Sequence, residues 1–313
     1  MSSRTRILFD TDPGIDDAMA LAMLARDPRA ELVGITTVFG NGPIEQTTRN
    51  ALSLRKRFGL AEVPVARGAA RPLVREPAPF AAHVHGRNGL GDVAVPDPVL
   101  PLDPRPAARF IVDMVHRHPG ELVLVPVGPL TNLAEARRLD PALPQQVRAV
   151  VLMGGAFGTH GHGGNVTPFA EANIHADPHA ADLVAAAPWP VTFVGLDVTH
   201  EVVMPGDYLD DLGARGGPIG AYLREITRFY EAVYRRRNGR GICCHDATAV
   251  ACALDDSAFT RRRGPVQVVT DGETAGQTRL LDPATPVDWP AQHVCVEADV
   301  ERLLAGYRRL FDA

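Results

Sequence analysis

The chain has 313 residues, 45% of them apolar and 22% charged, which is an ordinary mix for a soluble globular protein of one large α/β domain or two small ones. A formal net charge of −5 supplies no basic face and argues against a general nucleic-acid partner. No apolar run is long enough to span a bilayer, and the start Met1-Ser2-Ser3-Arg4-Thr5-Arg6 leads into a strand rather than the core of a signal peptide.

Along the chain, apolar runs alternate with polar, glycine-bearing turns and helical stretches. Arg6 to Asp10 is predicted as a strand leading into Thr11-Asp12-Pro13-Gly14, then a helix over Ala18 to Leu24. Leu32 to Val38 leads into Phe39-Gly40-Asn41-Gly42, with a helix from Thr47 to Phe58. After a proline-rich stretch, Pro96 to Pro106, come a helix over Ala107 to His116 and a strand over Glu121 to Val127, which leads into a turn and a helix from Leu130 to Arg138. Ala149 to Met153 runs into Gly154-Gly155-Ala156-Phe157-Gly158; a helix follows Asp177 over Pro178 to Ala187; and Val191 to Leu196 runs into Asp197-Val198-Thr199-His200. A last long helix spans Pro218 to Arg237, with Tyr230 and Tyr234 on its apolar stripe. Near-continuous apolar strands separated by helices imply a single-domain α/β fold, 1–313, built on a mostly parallel, doubly wound, Rossmann-like sheet. Ligands bind such sheets at the carboxyl ends of the strands, where every polar turn named above sits.

The turn after the first strand carries the strongest chemistry. Asp10-Thr11-Asp12-Pro13-Gly14-Ile15-Asp16-Asp17 packs four carboxylates into eight residues, and such a cluster persists only if its members protonate, fan into water or share a cation. All-oxygen donors suit Ca²⁺ or Mg²⁺ rather than zinc. An acidic loop capping a helix is the plainer alternative. The spacing fits neither an EF-hand, whose glycine and final glutamate are misplaced here, nor a phosphate-binding loop, which requires Gly-Lys.

Other segments complete a candidate site. Gly161 to Asn173 reads as a flexible loop whose Asn165, Glu171 and Asn173 offer the mixed donors and acceptors that sugar hydroxyls require. Cys243-Cys244-His245-Asp246 places a His-Asp pair at the head of an apolar helix. His83-Val84-His85-Gly86 offers two histidines for a transition metal, although an exposed strand and turn is the commoner use of that pattern. Cys252 and Cys295 are scattered and no Cys-x-x-Cys pair exists, so spacing suggests neither a zinc site nor a disulfide framework, and a reduced cytoplasm is the expected compartment. Lys56 is the sole lysine, and the runs Arg235-Arg236-Arg237 and Arg261-Arg262-Arg263 read as solvated helix ends or turns.

Taken in order, the acidic turn, Thr36 to Asn41, His83 to Gly86, Val125 to Asn132, Val151 to Gly155, Ala170 to Asn173 and His245-Asp246 resemble the inosine–uridine-preferring nucleoside hydrolase family over most of the chain. The resemblance implies Ca²⁺ held by Asp12, Asp17, Asp246 and the Val127 carbonyl, with Asp10 supporting from behind. It implies hydrolysis of the N-glycosidic bond of a ribonucleoside, with Asp12 taking a proton from a calcium-bound water. Asn41, Asp16, Asn165, Glu171 and Asn173 would hold the ribose and position the water, His245 would assist the departing base, and His85 would line its pocket. Tyr230 and Tyr234 can reach a flat apolar ligand. A small-molecule nucleoside, no nucleic acid, no membrane, and a homodimer or homotetramer complete the expectation.

The chain departs from the family pattern at Ala172, where an aromatic residue is common, and at Arg87-Asn88. His245 replaces the tryptophan of purine-specific relatives, which favours a broad or pyrimidine-leaning preference. Two rivals make different demands. A haloacid-dehalogenase-like phosphatase would use Asp10 as nucleophile, Mg²⁺ and a lysine, for which only Lys56 is available. A non-catalytic Ca²⁺-dependent nucleoside or sugar binder would be stabilised by ligand without turnover.

Overall fold

The structure is a computed structural model that describes residues 4–96, 101–237 and 239–312, so the proline-rich stretch is described only outside 97–100. Its strands are β1 (Thr5–Thr11), β2 (Ala30–Thr37), β3 (Val65–Arg67), β4 (Leu122–Pro126), β5 (Ala149–Met153), β6 (Val191–Val194), β7 (Val203–Met204), β8 (Ile242–Cys243), β9 (Phe259–Val268), β10 (Thr278–Leu280) and β11 (Ala291–Ala298). The first six are threaded by helices α1 (Ile15–Arg26), α2 (Ile44–Arg57), α3 (Ala82–His85), α4 (Ala107–Arg117), α5 (Thr131–Leu139), α6 (Ala172–Ala176) and α7 (Pro178–Ala185). Then come α8 (Leu196–Thr199), α9 (Gly206–Arg215), α10 (Gly217–Arg237), α11 (His245–Leu254) and α12 (Val300–Arg309).

Among the described residues, nine strands form one sheet in the order β10-β9-β11-β6-β5-β4-β1-β2-β3, parallel from β11 to β3, while β9 and β10 join antiparallel at one edge. The stretch β3-β2-β1-β4-β5-β6 has the dinucleotide-fold order, and the chain reverses direction across the sheet between β1 and β4. Alternation along β1 feeds two cores. Ile7 and Phe9 pack with α1, α10 and α11 on one face, while Leu8 packs with Phe110, Leu122 and Leu124 on the other. Both faces are covered, hence the continuous apolar runs.

The predicted strands and helices are present with shifted ends. α1 starts at Ile15 rather than Ala18, because the Asp17 carboxylate accepts the Gly14 N–H at 2.9 Å and caps the helix from inside its first turn. Asp177 caps α7 as expected, accepting from the Ala180 N–H at 3.0 Å. Two expectations are corrected. His83-Val84-His85 is not a strand but the single helical turn α3, which buries His85 and leaves His83 exposed, so the two do not share a metal. Arg261-Arg262-Arg263 lies within β9, where pairing with β11 fixes an extended chain. Arg55, beside Lys56, is buried and donates to the carbonyls of Val63 and Pro101.

Gly34 on β2 lies under the Phe110 ring, and a Cβ there would stand 2.6 Å from Cε1 and 2.7 Å from Cζ. Gly34→Ala should therefore destabilise the protein by about 1–3 kcal/mol through overpacking of this face. Urea denaturation of the two proteins checks it, and an unchanged midpoint would contradict the contact.

Candidate active site

Five of the residues singled out from sequence meet at the switch point between β1 and β4. Asp10 closes β1, and its Oδ1 accepts from Thr36 Oγ1 at 2.5 Å and Asn132 Nδ2 at 2.7 Å. Asp12, in the following turn, accepts from the Asn41 backbone N–H at 2.7 Å through Oδ2. Asp17 accepts from the Thr11 hydroxyl, the Gly14 N–H and, at 3.1 Å, Asn41 Nδ2. Asp246 enters from the first turn of α11, and carboxylate oxygens of Asp16, Asp17 and Asp246 lie within 4.8 Å of one another. All five carboxylates are buried.

The glycines of the surrounding turns make this approach possible. A Cβ on Gly40 would stand 2.0 Å from Asp12 Oδ2, and one on Gly128 would stand 2.6 Å from Asp12 Oδ1. Asp12 is thus wedged between two turns that tolerate no side chain.

Burial without enough partners raises the carboxyl pKa values. Desolvation pushes Asp10 up to about 7 and Asp16 and Asp17 up to about 6, while Asp12 and Asp246 are raised strongly by burial and by their acidic neighbours. Asp10 Oδ2, Asp12 Oδ1 and Asp16 Oδ1 are buried with no hydrogen-bond partner. Orphaned anionic oxygens of this kind fit a hard cation, which would repay their desolvation. The Val127 carbonyl faces the same space and accepts from Asn173 Nδ2 at 2.8 Å, leaving a second lone pair.

Next to the carboxylates opens a cavity of about 270 Å³. Asp16, Asn41, Val127, Asp246, Asn165, Glu171 and Asn173 line it together with His85, Tyr230, Tyr234 and His245, and His85 Nδ1 stands 3.8 Å from Asp16 Oδ1. Glu171 is buried as the N-cap of α6, taking the N–H groups of Gly155, Asn173 and Ile174, and burial pushes its carboxyl up to about 7. Asn165, on the exposed loop, accepts from the Ala172 N–H at 3.0 Å. His85 stacks on Tyr230 with ring centroids 5.3 Å apart, and its Nδ1 accepts the Ile15 N–H at 3.2 Å, which leaves the proton on Nε2. His245 is held from both sides, Nδ1 to Thr199 Oγ1 at 2.8 Å and Nε2 to the Tyr234 hydroxyl at 2.8 Å.

Several contributors were missed from sequence. Thr11, Thr36 and Asn132 carry the buried carboxylates, and Thr199 orients His245; Thr11 and Thr36 lie at the carboxyl ends of β1 and β2, and Asn132 and Thr199 in the short helices α5 and α8 that follow strands, a signal that marks position but not role. Asp197, also in α8, points away and instead binds the N–H groups of Phe157 and Thr159. Lys56 is exposed at the end of α2 and does not line the cavity, so the phosphatase arrangement lacks its cation.

A buried acidic cluster at the switch point of a dinucleotide-type sheet, beside a cavity lined by carboxylates, amides and aromatic rings, defines a glycosidase-like site. The chain belongs to the inosine-uridine preferring nucleoside hydrolase family, whose profile matches residues 7–305, and it is a ribonucleoside hydrolase. It is 38% identical to uridine nucleosidase 1 of Arabidopsis thaliana over 283 residues, covering 90% of this chain and 83% of that protein. The inosine-uridine preferring nucleoside hydrolase of Leishmania major is 40% identical over 276 residues, covering 87% and 86%. A solved plant nucleoside hydrolase superposes with a TM-score of 0.94 at 34% identity, covering 99% of both chains. The purine-preferring ribonucleoside hydrolase of Gardnerella vaginalis follows at 0.92 and 34%, covering 98% of both.

The raised carboxyl pKa values have a thermodynamic sign. Unfolded carboxyls titrate near pH 4, so between about pH 4 and pH 7 the cation-free native state binds more protons than the unfolded chain. The stability this confers is present at the acid end and is lost as pH rises through about 6 to 7. In chelator, thermal unfolding should therefore occur at lower temperature at about pH 8 than at about pH 5, and a hard divalent cation should shrink that difference. A melting temperature that rises with pH in chelator would contradict it.

Proposed function

We propose that this protein cleaves the N-glycosidic bond of ribonucleosides, with Ca²⁺ at the carboxylate cluster, to give ribose and free base. The observation that carries this is the set of unpartnered, buried oxygens on Asp10, Asp12 and Asp16 beside a nucleoside-sized cavity. Asp12, Asp17, Asp246 and the Val127 carbonyl would hold the ion, with Asp10 behind them. Bound there, Ca²⁺ supplies a Lewis acid that lowers the pKa of water and organises a sugar diol.

The protein's own groups do the rest. With Oδ2 fixed by the Asn41 N–H, Asp12 turns its unpaired Oδ1 toward the attacking water and takes its proton. Asn41 also anchors Asp17 through its side chain, so one residue sets both carboxylates. Asp16, Asn165, Glu171 and Asn173 bind ribose hydroxyls, and the carboxylates favour the positive charge that develops on the ring as the bond breaks. The stacked pair His85 and Tyr230 receives the flat face of the base. His245, held between Thr199 and Tyr234, delivers a proton or hydrogen bond to the departing base. His85 and His245 in the cavity lining support a broad or pyrimidine-leaning preference, and both uridine nucleosidases and inosine–uridine hydrolases stand among the relatives. Assembly as a homodimer or homotetramer in the cytoplasm belongs to the same proposal, for which the four free, buried cysteines suit a reducing compartment.

Release of ribose from inosine, adenosine, guanosine, uridine and cytidine, and of deoxyribose from their deoxy forms, tests this, with Ca²⁺ and with chelator. Calcium-dependent turnover is expected, falling by about 10²–10⁴-fold in Asp12→Ala and by at least about 10²-fold in His245→Ala. A folded, calcium-loaded protein that releases ribose from none of them would overturn the assignment. A second variant separates positioning from chemistry: Gly128→Ala pushes a methyl into Asp12 and should lower kcat while substrate still binds.

A further inference from the structure

His245, which lines the cavity, also belongs to a second cluster whose other members, His200 and Cys243, do not line it and have no part in the proposed hydrolysis. His200 follows α8, Cys243 ends β8 and His245 opens α11, and one ligand-capable atom from each lies within 4.8 Å of the others. The β7–β8 pairing makes this juxtaposition: Val203 registers with Cys243, and the Cys244 N–H donates to the Val202 carbonyl, which brings the segment after α8 against the segment before α11. The ring centroids of His200 and His245 are 5.5 Å apart, and those of His162 and His200 are 5.0 Å apart. Imidazoles sharing one tetrahedral zinc through bonds of about 2.0 Å place their ring centres about 5 Å apart. The rings therefore already stand at the spacing of metal ligands.

We infer that His200, Cys243 and His245 form a second metal site, selective for zinc and other thiophilic ions, with His162 as the fourth donor, and that zinc bound there inhibits the enzyme. Nitrogen and sulfur donors discriminate against Ca²⁺, so the two metal sites are chemically separate. On coordination the Cys243 thiol loses its proton to solvent, and the Tyr234 hydroxyl, which bonds both Cys243 and His245 Nε2, gives up its place. His162 exchanges its 2.5 Å contact with Glu201 for the ion. Metal binding stands on the cluster alone; inhibition rests in addition on the proposed role of His245 at the departing base.

The experiment uses the full-length protein saturated with Ca²⁺. Added Co²⁺, as a spectroscopic substitute for zinc, should give thiolate-to-cobalt charge-transfer absorption at one equivalent, and that absorption should vanish in Cys243→Ser. Zinc should inhibit nucleoside hydrolysis and a zinc-selective chelator should reverse it. Cys243→Ser and His200→Asn should keep basal turnover while zinc sensitivity falls by at least about tenfold. Absence of the thiolate band in the wild-type protein would overturn the site. Zinc inhibition of equal strength in both variants would also overturn it, by placing the ion at the carboxylates. A thiolate band without inhibition would retain the site and reject its coupling to His245.

Discussion

Everything in this molecule is arranged around mutual repulsion. Asp10, Asp12, Asp16, Asp17 and Asp246 are driven into one buried volume at the reversal point of the sheet, where an unbalanced negative charge is costly. The fold does not neutralise them with arginine, despite the abundance of that residue. It supplies hydroxyls, amides and backbone N–H groups to some oxygens and leaves three without a hydrogen-bond partner. A protein stabilised only by its contacts would not retain such a cluster; one that needs a cation would.

The scaffold tolerates this tension because β1 is anchored elsewhere. Seven residues of β1 pair with β2 and five with β4, and its side chains alternate into two apolar cores. Burial of Ile7, Leu8 and Phe9 fixes the strand, so the turn that follows cannot retreat into water. Rigid glycine contacts on both sides then dictate where Asp12 points. Strand packing provides the stability, and the strand-end turns carry the chemistry.

Much of this was visible in the sequence. Apolar runs of period-independent character exposed the parallel strands, and the density of aspartate around Pro13-Gly14 exposed the buried acidic turn, because both are local. What was not visible depends on which distant segments the topology juxtaposes. Thr199 and Tyr234 bracket His245 only because β7 pairs with β8 and α10 packs across it. Cysteine spacing offered no hint of a soft-metal cluster, since its ligands come from three separate elements. α3 was misread because a single helical turn is too short to show a period. The Asn173 side chain and the Val127 carbonyl were both named from sequence, but the bond between them joins segments 46 residues apart and only the fold brings it about.

Asp246 joins Asp16 and Asp17 from the opposite end of the chain, through α11 packed against α1. Closing that contact demands that nearly every intervening strand has already found its neighbour, which makes it among the slowest native contacts to form. On the proposed role of these carboxylates, cation binding would follow completed folding rather than seed it. A chain carrying only the first acidic turn would lack the Asp246 carboxylate, so a cation at the proposed site would stabilise finished molecules in preference to partial ones.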